Sequence, residues 1–600
     1  MSSNVSHPVN NYACSDAESR HLTSQQDVYD RTEETLESAL RDEKNILLTA
    51  PPGAGKTTGL FKIASRLDTP ITYLTGLEER YEDGERLADE FGVDATVIPS
   101  PHRACPAFDK GSEHYDPEAV RLYGLGANAG QMHTELSLHG GSDCRYSDFW
   151  DGFDPNDHPV LIGHYKHAHV PSLTNNRLVV IDEFPGEQLE RTIDNPGGAI
   201  NPFLDQTDEI PFNSVTDIIE YRDDSEQALK VGEWIAENES EISSHEIINS
   251  DENRRYNSLA PLLALSLCYT KNVDDEIEYF RFNEADEGSA CYIDNRDRRV
   301  VFNRKAGTLH VLTVPDLSEA RSVVGLDGTG TKELWDLSTG LGLEERSIFA
   351  DENEERGYYH DIHGATVYQL TDHLKPLHNG NISEERVKGI LYGIEAKHGE
   401  KPALITPDKA LSSCKDSGLL DHVSESINYA KVPSNNDLKH ERIELALGCP
   451  HPNNDVLKMW GAFSGQEIGQ EGEGADKTFG EYGDKIYHHF VHNQVLQAIL
   501  RAGRAPDIEP TVYVETSAIP DVLEIQPASV EKFDTEKKRK IADHLQRVGD
   551  DGTTKKAIMA ESGVSQRTVE ERLNDFKDHG IVDEEREDSH PYRKVYRWPS

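Results

Sequence analysis

The fold is decided by residues 45–58, which have the sequence NILLTAPPGAGKTT. Residues 45–50 form a short, mostly apolar run, and a run of this kind bounded by turn residues favours a buried strand. The proline- and glycine-rich residues 51–55 end the strand, and a helix is predicted from Lys56 to about residue 67. Strand, glycine-rich loop and helix in this order form the context of a phosphate-binding loop.

The loop residues have the types that phosphate binding requires. Residues 50–57 match the pattern G-x-x-x-x-G-K-[ST], except that Ala50 replaces the first Gly. Gly53 and Gly55 let the backbone curl so that its N–H groups face phosphate oxygens. Lys56 is predicted to reach the β and γ phosphates, and the Thr57 hydroxyl to bind Mg²⁺. The predicted ATP-binding residues of this loop are Pro52, Gly53, Ala54, Gly55, Lys56, Thr57 and Thr58.

A second segment, residues 178–183 (LVVIDE), supplies the matching acidic groups. It is an apolar strand pattern that ends in two carboxylates. Asp182 is predicted to hold Mg²⁺, and Glu183 to polarise the attacking water. An acidic strand end is weak evidence by itself in so acidic a chain, but together with the loop it predicts ATP hydrolysis.

Composition sets the background for these motifs. The 600 residues include 109 Asp+Glu against 61 Lys+Arg, for a formal net charge of -48. The length is too great for one hydrophobic core, so three or more domains are expected. Strand-like apolar runs, five Trp and 23 Tyr argue for folded domains rather than disorder. The charge favours a salt-adapted, haloarchaeal-type protein, in which local basic sites stand out against an acidic surface.

Several protein classes are disfavoured by the sequence. The seven Cys are scattered without a CxxC pair, which indicates a reduced cytoplasmic interior rather than a disulfide framework. No apolar run approaches the roughly 20 residues that span a bilayer. Residues 1–23 lack the apolar core of a signal peptide and are predicted to be a disordered tail. We therefore expect a cytoplasmic protein without a membrane partner.

Strand patterns alternate with helical patterns in two separate series, which predicts an α/β fold with parallel sheets. The first series includes strands at 71–75, 160–163, 177–182, 308–313 and 321–327, and the second runs from about 365 to 520. The predicted division is a first domain formed by 24–97, 158–189 and 304–350, a Cys/His-containing insertion at 98–157, a mostly helical insertion at 190–303, a second domain at 351–525 and a separate unit at 531–600.

Three segments resemble motifs of superfamily 2 helicases. Residues 50–57 look like motif I, and the Asp182-Glu183 pair followed by Phe-Pro looks like the DExx motif II. Residues 497–504 (QAILRAGR) look like motif VI, with Leu500 where the family has Gly. The resemblance implies two RecA-like domains with ATP bound between them.

Motif VI supplies arginine fingers in that family, so the resemblance implies that Arg501 and Arg504 act on ATP bound to the opposite domain. Gln497, which opens the motif, is expected to contact the nucleotide. More weakly, Gln25 or Gln26 resembles an adenine-reading glutamine, and Gly328-Thr329 resembles the coupling motif III.

The two insertions occupy the positions that hold the iron–sulfur and arch domains in the XPD/DinG branch. That branch often uses four Cys for a [4Fe–4S] cluster, whereas residues 98–157 contain only Cys105 and Cys144. We therefore expect no iron–sulfur cluster. A Cys/His metal site that includes His102, His133 or His139 is the alternative to a metal-free insertion, and the metal-free insertion is favoured because the spacing is irregular.

Residues 531–600 are predicted to form a winged helix. Helices are expected at 538–546 and 554–562, a recognition helix opens at residue 566, and wing strands are expected at 580–582 and 594–598. A winged helix of this kind serves either DNA binding or protein contact, and the local concentration of Lys and Arg favours DNA. The predicted DNA-contacting residues are Gln566, Arg567, Arg572 and Lys594.

Together these patterns predict an ATP-dependent DNA helicase or translocase that uses ATP and Mg²⁺. Single-stranded DNA is the expected partner of the motor, and duplex DNA that of the winged helix. Two alternatives remain: an ATP-switched transcription regulator, and an RNA helicase.

Overall fold

The structure is a computed structural model of the chain. It describes residues 21–600 except 78, 139–143, 223–224, 239–243, 250–254, 283–295, 378–380, 435–436, 473–476, 506–507, 528–534, 579–580, 587–593 and 599–600. Most of the predicted disordered tail, residues 1–20, therefore lies outside the described residues.

The strands of the described part of the chain are short, and most of them are buried. In chain order they are β1 (Ile46–Thr49), β2 (Ile71–Thr75), β3 (Ala95–Val97), β4 (Val160–His164), β5 (Leu178–Asp182), β6 (Glu190–Ile193), β7 (Lys271–Asn272), β8 (Ile277–Arg281), β9 (Asp297–Asn303), β10 (Thr308–Val314), β11 (Ser322–Asp327), β12 (Glu344–Ser347), β13 (Thr366–Gln369), β14 (Ala403–Thr406), β15 (Ser426–Asn428), β16 (Ile443–Leu447), β17 (Thr511–Glu515), β18 (Ile525–Pro527), β19 (Asp583–Arg586) and β20 (Lys594–Arg597).

The α-helices connect these strands or build the insertions. In chain order they are α1 (Gln25–Arg41), α2 (Lys56–Ala64), α3 (Glu79–Phe91), α4 (Pro101–Ala104), α5 (Pro117–Leu125), α6 (Ala129–Leu136), α7 (Arg145–Trp150), α8 (Pro171–Thr174), α9 (Gly186–Leu189), α10 (Pro196–Leu204), α11 (Val215–Tyr221), α12 (Ser225–Asn238), α13 (Ser244–Asn249), α14 (Ala260–Tyr269), α15 (Lys332–Thr339), α16 (Glu352–Gly357), α17 (Glu384–His398), α18 (Asp408–Asp416), α19 (Asn454–Phe463), α20 (Gly480–Phe490), α21 (His492–Ile499), α22 (Glu536–Val548), α23 (Lys555–Ser562) and α24 (Gln566–Asp578).

The first sheet has seven parallel strands in the order β12-β1-β11-β5-β2-β4-β3. Its central strands are buried along their whole length, which explains why they are almost continuously apolar in sequence. Strands β1, β11 and β5 are neighbours, and all three point the same way. The residues that follow them therefore meet at one edge of the sheet.

The second sheet has six strands in the order β15-β14-β16-β17-β13-β18, and they are also parallel. Two parallel sheets with helical connections confirm the predicted α/β class and are consistent with two RecA-like domains. The cores of the two sheets are continuous: one buried apolar cluster includes Val324 of β11 and Val514 of β17. The two halves thus pack face to face across a cleft.

Residues 190–314 differ from the sequence expectation. They contain the antiparallel sheet β6-β10-β9-β8-β7 as well as the expected helices α10 to α14, so the sheet is an addition that the sequence expectation lacked. Strand β10, which we expected in the first parallel sheet, belongs to this antiparallel sheet. The reason is visible in its burial, because much of β10 alternates between buried and half-buried residues, as in a sheet with one covered face.

Residues 98–157 form short helices around a small core of their own, as expected of an insertion. Ile247 and Ile248 of α13 complete this core, so the two insertions pack against each other. His102 lies near the rings of Phe108 and Tyr123.

The C-terminal unit consists of α22, α23, α24 and the antiparallel pair β19 and β20. Its helices begin and end close to the predicted positions. The first strand lies at Asp583–Arg586 rather than at 580–582, because Ile581 and Val582 pack into the core of the unit before strand pairing begins. That core also contains Ala396 of α17, so the unit is attached to the domain of the second sheet.

Among the described residues, no helix combines the length and the apolar character needed to cross a membrane.

The net charge of -48 leads to a prediction about salt. When KCl is lowered from about 1 M to about 0.1 M, the screening length grows from about 3 Å to about 10 Å and the acidic surface repels itself over longer distances. We expect the protein to lose structure over this range, as followed by circular dichroism and by the melting temperature in a KCl series. A melting temperature that does not change with KCl would contradict the salt-adapted interpretation.

Candidate nucleotide site between the two parallel sheets

The loop after β1 has the backbone of a phosphate-binding loop. Gly53 and Gly55 have φ values of 85° and 78°, which side chains other than Gly rarely adopt. Helix α2 begins at Lys56, directly after the loop, so its positive end faces the space that the loop encloses. Pro52 and Ala54 are buried, whereas Thr58 is exposed on the first turn of the helix.

Lys56 is buried inside this loop. Its ammonium group donates hydrogen bonds to the backbone oxygens of Ala50, at 2.6 Å, and Pro51, at 3.4 Å. Burial lowers the pKa of Lys56, and the carboxylates of Glu183 and Asp182 oppose that effect. Since carbonyl oxygens are weaker partners for a buried cation than phosphate oxygens, Lys56 is a ready ligand for a polyphosphate.

Two oxygen donors lie together beside the loop. The Thr57 hydroxyl is 3.5 Å from Asp182 Oδ2, and the Tyr73 hydroxyl donates to the same oxygen at 2.6 Å. A hydroxyl and a carboxylate are the oxygen ligands that Mg²⁺ prefers, so this pair fits the predicted metal role. Sequence reasoning missed Tyr73, although β2 pairs with β5 and brings its residues alongside Asp182.

Glu183 is held in a strained backbone conformation directly after β5. Its φ of 69° is unusual for a residue other than Gly, and strain of this kind persists only where the surroundings enforce it. Here the Glu183 amide donates to Leu326 O at 2.8 Å, and the Tyr165 hydroxyl donates to the Asp182 and Glu183 carbonyls. Burial, followed by the nearby Asp327 carboxylate, raises the pKa of Glu183 to about 8.

Asp327 ends β11 and organises the next segment. Its carboxylate accepts hydrogen bonds from the Trp335 indole and from the Thr329 amide, each at 2.9 Å. Thr329 in turn contacts helix α21 of the second half. Gln497 Nε2 donates to the Thr329 hydroxyl at 2.9 Å, and Asn493 donates to the Thr329 carbonyl at 2.7 Å.

The structure therefore places Gln497, expected at the nucleotide, against Thr329. The two segments that resemble motifs III and VI are joined by a direct hydrogen bond, from Gln497 to Thr329. The Gln497 Oε1 atom is buried and has no hydrogen-bond partner among the described residues.

Arg504 lies across the cleft against the phosphate-binding loop. Its Cδ and Nε atoms are 3.8 Å from the position that a Cβ on Gly53 would occupy. Nε donates to the Leu500 carbonyl at 2.7 Å, while Nη2 is buried without a hydrogen-bond partner in the described part of the chain. Burial lowers the pKa of Arg504 to about 10. A half-buried guanidinium with its Nη2 atom buried beside this loop is suited to an anion.

Arg501 is buried near Arg504, and the charges of Glu183 and Glu444 act on both arginines. Burial and the neighbouring Arg504 lower the pKa of Arg501 well below its ordinary value, and the charges of Glu183 and Glu444 act against this. Both predicted finger arginines are thus in the cleft, close to the predicted catalytic carboxylate.

Arg80 is a further cleft residue that sequence reasoning missed. It lies in α3 of the first half and is half-buried. Burial acts to lower the pKa of Arg80, but Asp182, Tyr73 and Glu183 outweigh it and raise the pKa above its ordinary value. Nothing in the sequence distinguishes Arg80 from the other charges of this helix.

Two residues of α1 touch the loop from outside. Gln25 Nε2 donates to the Gly53 carbonyl at 3.3 Å, so this glutamine is at the loop. The Tyr29 ring lies over Gly55, within 3.0 Å of the position that a Cβ would take, and is 39% exposed. Tyr29 is an aromatic side chain beside the loop that sequence reasoning missed.

The residues predicted to contact DNA lie far along the chain, on the C-terminal unit. Each of the four side chains contacts a nearby acidic side chain: Gln566 with Glu570, Arg567 with Glu571, Arg572 with Asp575, and Lys594 with Glu584. The positive charges of Arg567, Arg572 and Lys594 are therefore partly neutralised within the unit.

No model of a known protein family and no curated protein sequence matches the chain. Solved structures do match it. A structure titled "XPD_Helicase" shares 13% identity and covers 82% of this chain and 95% of its own, with a TM-score of 0.43.

Two further structures resemble the chain less, with lower TM-scores. The Xpd4 of S. tokodaii shares 13% identity over 84% of this chain and 100% of its own, with a TM-score of 0.40. The Dbp5 of S. cerevisiae, bound to RNA and ADP BeF3, shares 9% identity over 89% of each chain, with a TM-score of 0.29. At these values the structures assign neither a family nor an activity to this chain.

Proposed function

We propose that this protein is an ATP-dependent DNA helicase or translocase that binds ATP between its two parallel-sheet domains. The observation that carries the proposal is the position of Arg504. This side chain comes from the second domain, lies against the phosphate-binding loop of the first, and has one buried nitrogen, Nη2, that finds no hydrogen-bond partner among the described residues. A phosphate-binding loop can bind phosphate within one domain, so an arginine supplied by a second domain favours a nucleotide site that both domains form.

In this proposal the loop amides and Lys56 bind the phosphates, and Arg504 and Arg501 contact the γ-phosphate from the other side. Mg²⁺ held by Thr57 and Asp182 would neutralise phosphate charge. Glu183 accepts a proton from the attacking water and orients it toward the γ-phosphate. Its raised pKa favours this role, because a base is most effective when its pKa is near the working pH.

Movement follows from the same contacts. A γ-phosphate draws Arg504 and the loop together, and its loss on hydrolysis weakens that attraction. The hydrogen bonds from Thr329 to Gln497 and Asn493 give the first domain a second, nucleotide-independent contact with α21. We infer that the domains rotate about this contact during each cycle and so step along a nucleic-acid strand.

The domain division remains part of the proposal, with one adjustment: residues 304–314 go with the antiparallel insertion. The C-terminal winged helix is proposed to load the motor on duplex DNA through Gln566, Arg567, Arg572 and Lys594. Since these side chains are paired with acids, DNA phosphates would have to displace those partners.

ATPase measurements in molar KCl test the proposed function. We expect turnover to rise when single-stranded DNA is added and to rise less with RNA of the same sequence. Unwinding of a partial duplex should require ATP. Lys56→Ala is the matched control, because it removes the phosphate-binding charge and should abolish hydrolysis while preserving the circular dichroism spectrum.

The alternatives make different predictions in the same assay. Stimulation by RNA alone would identify an RNA helicase. ATP-dependent binding to a specific duplex, without stimulation by single strands and without unwinding, would identify an ATP-switched regulator.

A further inference from the structure

The first insertion brings together two cysteines and a histidine. Cys105 Sγ lies 3.3 Å from His133 Nε2, and Cys144 Sγ lies 3.2 Å from the same nitrogen. The three atoms are all within 4.8 Å of one another. The residues come from three separate segments: the end of α4, the middle of α6 and the residue before α7.

The orientation of His133 is fixed. Its Nδ1 atom is 2.6 Å from the Ala129 carbonyl, which can only accept, so Nδ1 carries the proton. In the neutral ring, Nε2 then presents one lone pair, and two sulfur atoms face that lone pair. One S–H group is enough to satisfy it. A cation placed among the three atoms would instead use all of them, and a backbone carbonyl on the far ring nitrogen is the usual partner of a metal-bound histidine.

The distances fit a small thiophilic ion. With Zn–S bonds of about 2.3 Å, a Zn–N bond of about 2.1 Å and tetrahedral angles, a ligand nitrogen and sulfur lie about 3.6 Å apart. The two observed separations, 3.3 and 3.2 Å, are a few tenths of an ångström shorter. A small outward movement of the sulfurs would accommodate the ion.

An iron–sulfur cluster does not fit this group. A [4Fe–4S] cluster is held by four thiolates, and residues 98–157 contain two Cys. Among the described residues no further Cys, His, Asp or Glu joins the group. His102 lies elsewhere, near Phe108 and Tyr123, and His139 is outside the described residues. A donor set of two sulfurs and one imidazole is typical of Zn²⁺.

The location also gives such an ion a structural task. The insertion has a core of only a few small helices, which is little apolar area for a folding unit. A metal ion that joins three segments stabilises small units of this kind. The two Cys are themselves part of the core, and Ile247 and Ile248 of the second insertion pack into it.

The geometry points to a Zn²⁺ site formed by Cys105, His133 and Cys144, with one coordination position left for water. On binding, each thiol loses its proton to solvent and becomes a thiolate ligand, with no change of oxidation state. Burial raises the pKa of the Cys105 thiol to about 12, so the metal-free thiol is protonated at neutral pH and zinc binding should release protons. The site is independent of the nucleotide cleft.

The test is metal analysis of the full-length protein after purification with Zn²⁺ and removal of unbound metal. We expect about one Zn²⁺ per chain. Replacement by Co²⁺ should produce the absorption bands of thiolate-to-cobalt charge transfer. Cys105→Ser, Cys144→Ser and His133→Gln should each reduce the bound metal to near zero. Cys414→Ser is the matched control, since Cys414 is also buried but lies in the second parallel-sheet domain, and it should keep its zinc.

Should a ligand variant fail to fold, the wild-type protein still provides a test: titration of its thiols with an organomercurial should release the zinc in step with modification of two Cys. Three results would overturn the proposal, namely no bound zinc or cobalt, iron together with acid-labile sulfide, or a disulfide between Cys105 and Cys144 in freshly purified protein. Lys56→Ala should retain full zinc content, so failure of the helicase proposal would leave this result unchanged.

Discussion

Replacing Arg504 by Ala should lower nucleic-acid-stimulated ATP turnover by about 10³-fold or more, the range attributed to an arginine finger. ATP affinity should change much less, because Lys56, the loop amides and the Thr57–Asp182 pair all remain in the first domain. The physical reason is that Arg504 contributes charge from the opposite domain, where it is needed most as the γ-phosphate departs. Single-turnover hydrolysis and fluorescent-nucleotide binding separate the two effects.

Two companion variants sharpen this test. Arg504→Lys should recover little activity, since an ammonium group cannot donate two parallel hydrogen bonds as a guanidinium can. Arg442→Ala is the matched control: Arg442 lies in the same domain, 68% of its side chain is exposed and its acidic neighbour is Glu400, so turnover should be unaffected. Normal hydrolysis by Arg504→Ala would mean that the second domain does not complete the active site.

The core of the candidate nucleotide site could be selected from the sequence because its parts are local. The loop and Lys56 follow one apolar strand, and Asp182 and Glu183 follow another. What the sequence does not state is that β11 lies between these two strands. That arrangement brings Asp327 to the edge between the loop and Glu183, where it raises the pKa of the glutamate.

The missed residues share a physical cause. Tyr73 and Tyr165 reach Asp182 and Glu183 from β2 and from the turn after β4, and these contacts depend on strand order rather than on sequence spacing. Arg80 was missed because it is one of several charged residues in a charged helix, and only the packing of that helix brings it near Asp182. Strand β10 was misassigned for a different reason. A short segment rich in strand-forming residues fits a parallel or an antiparallel sheet equally well, unless the alternation of apolar and polar residues along it is taken into account.

The contact between Thr329 and Gln497 could be predicted only in part. Resemblance to helicase motifs singled out both segments, but the direct hydrogen bond between them depends on how the two domains face each other. Gln497 therefore joins the two halves through Thr329, and its expected contact with the nucleotide stays a prediction. The same facing geometry influences Glu183, because the positive charge of Arg501 on the second domain opposes the rise in the pKa of that carboxyl group.

Glu183→Gln is expected to keep ATP binding and to lower turnover by about 10²- to 10⁴-fold, the usual contribution of a general base. The amide preserves the size of the side chain but cannot accept a proton from water. Its melting temperature should equal or exceed that of the wild type, because the variant removes a carboxyl group whose charged form is destabilised by burial. Glu187→Gln is the matched control: it replaces an exposed glutamate four residues away whose pKa is also raised, and its turnover should stay near the wild-type value.

The pH dependence gives the sharpest form of this prediction. The carboxylate is the active form of Glu183, and a pKa raised to about 8 means that it is largely protonated at pH 6. In the wild type, kcat/KM, which reports on the free enzyme, should therefore rise with pH up to about 8 and level off above it. In Glu183→Gln this rise should disappear, while the Glu187→Gln profile should follow the wild type. If Glu183→Gln keeps the wild-type rise, another group accepts the proton; if it loses ATP binding, Glu183 shapes the nucleotide site and is not the base.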